Sequence, residues 1–95
     1  MISKYDELFA CVKEAIDEWD PFRLLIGGAP GDEYNEEVAQ IIAGLRNCRI
    51  ITDIQDLVFN VFKRNFGDDS VGNKEAYSSV ARAIFSKCRG KIMTK

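Results

Sequence analysis

The spacing of the apolar residues is the feature of this sequence that most restricts its fold. In four separate segments these residues recur every three or four positions with charged residues between them, which is typical of amphipathic helices that bury one face. No stretch alternates with a period of two for long enough to form a strand, and residues 48–51 are the only short β-like fragment. We therefore predict one all-α domain over residues 1–95, folded as a small antiparallel four-helix bundle.

The ends of the first two helices are predicted from their flanking residues. Ser3 is the expected N-cap of the first helix, which runs to Trp19. Asn35 is the expected N-cap of the second helix, with a stop near Asn47. Between the two helices, residues 26–31 contain three glycines and a proline, so we predict a Gly/Pro loop there.

The third helix has the clearest predicted start. Thr52 is followed three positions later by Gln55, which is the pattern of a capping box, and Gly67 is the expected end. A fourth helix is predicted from near Asn73 to Gly90. Four aromatic residues are expected to anchor the core between the helices: Phe9, Trp19, Phe62 and Phe85.

The absence of histidine removes much of the common catalytic machinery. Without it there is no Ser-His-Asp triad, no Cys-His dyad and no histidine-ligated zinc. The cysteines Cys11, Cys48 and Cys88 are odd in number and form no CxxC motif, so we interpret them as small apolar residues in a reducing cytoplasm. Only Cys48, between Arg46 and Arg49, has neighbours in the sequence that favour a thiolate. We expect no enzymatic activity, no cofactor and no metal site.

Membranes and nucleic acids are not expected as partners. No apolar run approaches the ~18 residues of a membrane span, and the first residues lack the apolar core of a signal peptide. The net charge is −2, and no basic recognition helix is evident. These features favour a cytoplasmic protein that binds another protein.

The charges are strongly divided along the chain. Residues 1–40 hold ten acidic and three basic residues, whereas residues 41–95 hold five acidic and ten basic residues. Three of the acids are Glu14, Asp17 and Glu18 at the end of the first helix, where the helix dipole disfavours negative charge. We interpret this placement as evidence for a basic protein partner rather than for stability.

The predicted partner-binding residues combine this acidic cluster with a second one around an aromatic residue. They are Glu14, Asp17, Glu18, Asp32, Glu33, Tyr34, Glu36 and Glu37. Two alternatives stay open. The acids form only a solvated surface, or the acidic half of one protomer binds the basic half of another in a homodimer.

Residues 19–37 carry a resemblance to a known family. The segments are Trp19-Asp20-Pro21, Leu24-Leu25, Gly27-Gly28, Ala29-Pro30, Asp32-Glu33-Tyr34 and Glu37. They resemble the YugE-like small bacterial proteins of unknown function, in which a helix ending in W-D-P precedes a glycine-containing loop, a D/E-Y segment and three further helices. The resemblance implies a compact all-α fold. It does not imply a catalytic residue, because none is established for the family. Such proteins are also similar to immunity proteins carried beside bacterial polymorphic toxins, which implies an inhibitor of a cognate toxin.

Overall fold

Helices make up nearly all of residues 4–19 and 34–88, the part of the chain that the computed structural model describes. The elements are α1 (Lys4–Trp19), α2 (Asn35–Leu45), α3 (Ile51–Phe66), a single turn α4 (Asp68–Val71), a 3-10 turn (Lys74–Tyr77) and α5 (Ser78–Cys88). The predicted all-α fold with four main helices is confirmed. The predicted Gly/Pro loop, the first N-cap at Ser3 and the stop at Gly90 lie outside the described residues.

The four main helices pack antiparallel around an aromatic cluster at one end of the bundle. The rings of Trp19 at the end of α1 and Tyr34 just before α2 both contact Phe62, at centroid distances of 5.7 and 6.0 Å. Tyr77, just before α5, lies 4.8 Å from Trp19. The end of α1, the start of α2, the later part of α3 and the start of α5 therefore meet here. We call this the aromatic end, and the opposite end the groove end.

The centre of the core differs in part from the prediction. Phe62 is fully buried, as predicted, but Tyr34 and Tyr77 are the other large side chains enclosed with it. The Tyr77 hydroxyl donates a 2.8 Å hydrogen bond to the Val71 carbonyl, so its polar atom is satisfied inside the protein. The other predicted anchors pack only at the margin of the core: Phe9, Trp19 and Phe85. Apolar spacing identifies the inner face of a helix, but only the packing of the helices decides which ring lies at the centre.

The start of α3 lies earlier than predicted. The helix begins at Ile51, before the proposed cap Thr52. Asp53, in the first turn, accepts hydrogen bonds from the backbone N–H groups of Arg49 at 3.0 Å and of the cap residue Ile50 at 3.4 Å. The bond to the cap N–H is the role predicted for Gln55. Gln55 instead donates a 2.8 Å hydrogen bond to a backbone carbonyl of the 3-10 turn. The predicted capping box is therefore wrong by two positions.

The cap of α2 is also displaced from the prediction. Tyr34, and not Asn35, precedes the helix, and no side chain caps it. The Tyr34 carbonyl accepts the first helical hydrogen bond from the N–H of Val38 at 2.9 Å. Burial of the Tyr34 ring in the aromatic end therefore fixes where α2 starts.

Gly67 ends α3 as predicted. Its backbone has φ 91° and ψ 156°, a region that is essentially restricted to glycine. Its N–H donates to the carbonyl of Lys63 at 2.9 Å, which closes the last turn. Helix α4 begins at the next residue, Asp68.

Candidate protein-binding site

Two of the predicted contact residues lie inside the protein. Tyr34 is 0% exposed and Glu37 is 5% exposed, so the prediction that their side chains contact a partner is wrong. The reason is the helical period of α2, because positions 34, 37, 38 and 41 fall on one face and that face packs against α3 and α1. The sequence contained this information, since Val38 and Ile41 had already marked the inner face of the helix.

The acids at the end of α1 have structural partners. The Lys87 ammonium of α5 donates to Glu14 Oε1 at 2.9 Å and to Glu18 Oε1 at 3.1 Å. The hydrogen bonds that Lys87 donates to these two carboxylates raise the pKa of its ammonium group. Glu14 and Glu18 therefore have a partner within the protein, so their position at the end of α1 does not by itself indicate an external basic partner.

The other predicted acids have three different positions. Asp17 forms an ion pair with Lys13 one turn earlier in α1. Glu36 is exposed on α2. Asp32 and Glu33 lie outside the described residues. The structure therefore does not gather the predicted residues into one exposed patch.

An apolar groove lies between α1 and α2 at the groove end of the described bundle. Its volume is about 390 Å³, within the range of binding pockets. The walls are formed by the first two turns of α1 and the second half of α2, with these residues: Tyr5, Leu8, Ala39, Ile42, Ala43, Leu45 and Arg46. The side chain of Tyr5 is 43% exposed, which is unusual for a large aromatic residue on an apolar face.

Small side chains on α2 create the groove. Ala39 and Ala43 are one turn apart, so they lie on the same face and leave space opposite Tyr5. Tyr5 follows the helical period of the apolar residues of α1, so spacing alone favours a place for it in the core. The pair of alanines on α2 was the available indication that the ring has no large partner there.

The two helices that form the groove carry more acids than bases, although the charged residue in the groove wall itself is Arg46. Helices α1 and α2 contain seven acidic and two basic residues, whereas α5 contains two basic residues and no acid. Asp6 and Glu7 are exposed in the same turn of α1 as Tyr5. Glu36 is exposed on the face of α2 that carries Ala39 and Ala43. An apolar groove beside exposed acids suits a partner that inserts an apolar side chain from a basic surface.

The surroundings of Cys48 oppose thiolate formation. Burial is the main cause that raises the pKa of the thiol, and the negative charges of Asp53 and Asp56 raise it further. The thiol also donates a weak 3.6 Å hydrogen bond to the carbonyl of Gly44. The expectation that Arg46 and Arg49 favour the thiolate is wrong, because burial and, to a lesser extent, the acids at the start of α3 favour the neutral thiol.

We expect Cys48 to react slowly with thiol reagents. In a variant whose only cysteine is Cys48, made by Cys11→Ala and Cys88→Ala, the rate with a disulfide reagent at pH 8 should be at least about fivefold below that in 6 M urea, because unfolding removes the causes of the raised pKa. The measurement is the absorbance of the released aromatic thiolate. A native rate equal to the unfolded rate would contradict the raised pKa.

The other two cysteines lie close together, which the sequence analysis missed. The Sγ atoms of Cys11 on α1 and Cys88 on α5 are 2.6 Å apart although 77 positions separate them in the chain. Nothing in the sequence connects the two residues, because their distance depends on how α1 and α5 pack.

The described residues form a small antiparallel helical bundle with a candidate protein-binding groove. Within residues 4–19 and 34–88, no helix has both the length and the apolar character needed to span a bilayer. Comparison of the chain with protein-family models, with curated proteins and with solved structures found no match. The resemblance to the YugE-like proteins therefore stays a prediction based on residues 19–37.

Proposed function

We propose that the chain is a protein-binding module whose α1–α2 face docks on a basic protein. The observation that carries this proposal is the apolar groove with its exposed Tyr5 ring. Large aromatic residues in such positions are frequent anchors of protein interfaces, because they bury much area with little loss of side-chain freedom. The groove accepts an apolar side chain of the partner, and the Tyr5 ring packs along it.

The acidic residues around the groove give the interaction its preference for a basic partner. Exposed acids contribute little to affinity one by one, but together they attract a cationic surface and raise the association rate. Asp6, Glu7 and Glu36 supply this charge on the two helices that form the groove. The binding face proposed from the structure thus keeps Glu36 and replaces the buried Tyr34 by Tyr5 as the aromatic anchor.

The more specific proposal is that the partner is a toxin domain and the chain its immunity-type inhibitor. Its support is the resemblance of residues 19–37 together with the acidic character of α1 and α2. An inhibitor of this kind must meet its target quickly, which favours electrostatic steering. A homodimer that joins the acidic and basic halves of two chains is the alternative outcome of the test below.

The test is affinity capture with the tagged chain from an extract of its source organism, at low and at high salt. We expect one basic protein in stoichiometric amount, with less captured at high salt. A captured enzyme whose activity falls to zero at one equivalent of the chain supports the inhibitor proposal. Recovery of the chain alone, with a dimer mass at ~100 µM in light scattering, would replace it by self-association.

Removal of the acids near the groove should slow association with the captured partner. In the variant Asp6→Asn, Glu7→Gln, Glu36→Gln, we expect the association rate at low salt to fall about tenfold, with a smaller change in the dissociation rate. Surface plasmon resonance measures both rates. The matched control changes three exposed acids elsewhere: Asp68→Asn, Asp69→Asn and Glu75→Gln. Equal slowing in the two variants would show that only net charge matters, and would contradict the assignment of the face.

A further inference from the structure

Two thiols, one on α1 and one on α5, lie next to each other. Cys11 Sγ and Cys88 Sγ are 2.6 Å apart, and neither cysteine is in a disulfide. Disulfide formation requires the two sulfur atoms to approach to ~2.05 Å, so the remaining approach is about 0.5 Å. Cys11 is half-buried and accessible from solvent, whereas Cys88 is buried. The Cys11 sulfur is thus accessible to a reagent, and the Cys88 sulfur is adjacent to it but buried.

A neighbouring contact holds the two helices in register. Lys87, adjacent to Cys88, binds Glu14 and Glu18 of α1. Cys11, Glu14 and Glu18 lie at i, i+3 and i+7, hence on one face of α1. Two consecutive residues of α5 therefore contact the same face of α1, and the ion pairs keep the sulfur atoms opposite each other.

We propose that Cys11 and Cys88 are a redox modification site. The two residues form a reversible intramolecular disulfide by thiol–disulfide exchange with low-molecular-weight disulfides such as oxidised glutathione. The Cys11 thiolate attacks one sulfur of the reagent, which forms a mixed disulfide and releases one glutathione thiolate. Cys88 then loses its proton to solvent and attacks Cys11 Sγ, which releases the second glutathione thiolate. The protein thiols lose two electrons and two protons, and the oxidised glutathione becomes two molecules of reduced glutathione.

The disulfide would act on stability. It joins positions 77 residues apart and so restricts the unfolded chain over most of its length. It also fixes the end of α5 against α1. Cys48 has no part in it. This inference is independent of the proposed partner, since every measurement below uses the chain alone.

The test is equilibration of the purified chain in buffers of reduced and oxidised glutathione. We expect a product that has lost the mass of two hydrogen atoms, with one titratable thiol in place of three. Peptide mapping should recover the Cys11–Cys88 link. The melting temperature should rise by at least about 10 °C on oxidation, and the equilibrium constant with glutathione should be at least about thirtyfold higher for the native chain than in 6 M urea.

Cysteine variants assign the effect to the pair. Cys48→Ser should oxidise like the parent chain, whereas Cys11→Ala and Cys88→Ala should each lose the rise in melting temperature. If Cys88→Ala does not fold, the comparison of Cys11→Ala with the parent, together with the value in urea, still decides the question. Oxidation that yields only glutathione adducts or dimers linked through Cys48, or that leaves the melting temperature unchanged, would overturn the proposal.

Discussion

Replacement of Phe62 by alanine should destabilise the protein more than any other single truncation in the aromatic end. The ring is fully buried and contacts the rings of Trp19 in α1, Phe66 in α3, Tyr77 in the 3-10 turn and Tyr34 just before α2. Truncation of such a residue costs about 3–5 kcal/mol, because the transfer free energy is lost and a cavity remains. Domains of this size are stable by only about 5–15 kcal/mol, so the variant should be close to unfolding at 37 °C.

Thermal and denaturant unfolding measure this effect. We expect the melting temperature of Phe62→Ala to fall by more than about 12 °C. Circular dichroism is the suitable probe, because the fluorescence of the neighbouring Trp19 also responds to the local loss of the ring. Phe9→Ala is the matched control, because Phe9 packs only at the margin of the core. It should cost less than half as much. Equal losses in the two variants would show that the aromatic end is not the centre of the core.

Arginine at position 43 should abolish binding of the captured partner without harm to the fold. Ala43 is exposed and forms part of the groove wall, so a long charged side chain fills the groove and repels a basic surface. Loss of an anchor contact together with the new repulsion should weaken the dissociation constant at least about a hundredfold, or about 2.7 kcal/mol. The Arg side chain extends into solvent in the free protein, so the melting temperature should change little.

Calorimetry with the captured partner gives the dissociation constant for this variant. The control is Ser79→Arg, which adds the same charge at an exposed position of α5. We expect the control to bind within about threefold of the parent chain, because it lies away from the α1–α2 face. If Ala43→Arg binds as tightly as Ser79→Arg, the partner does not use the groove.

The number of main helices and their approximate positions in the chain were predictable from the sequence. Apolar spacing in each segment, together with the absence of alternation, was sufficient for the all-α fold, and Gly67 marked the end of α3 because few other residues adopt its backbone conformation. These features depend on contacts between residues three or four positions apart. The predicted helix starts were less accurate. Burial of Tyr34 displaced the start of α2, and the hydrogen bonds accepted by Asp53 displaced the start of α3.

The candidate sites were not predictable in the same way, because they depend on contacts between helices. The sequence determined that α1 and α2 are acidic, and that no histidine is available for catalysis. Only the tertiary structure decided that Lys87 neutralises part of the charge of Glu14 and Glu18, and that Cys11 meets Cys88. Spacing along a helix defines which residues share a face. The packing of one helix on another determines what that face meets, since the partner residues are up to 77 positions away.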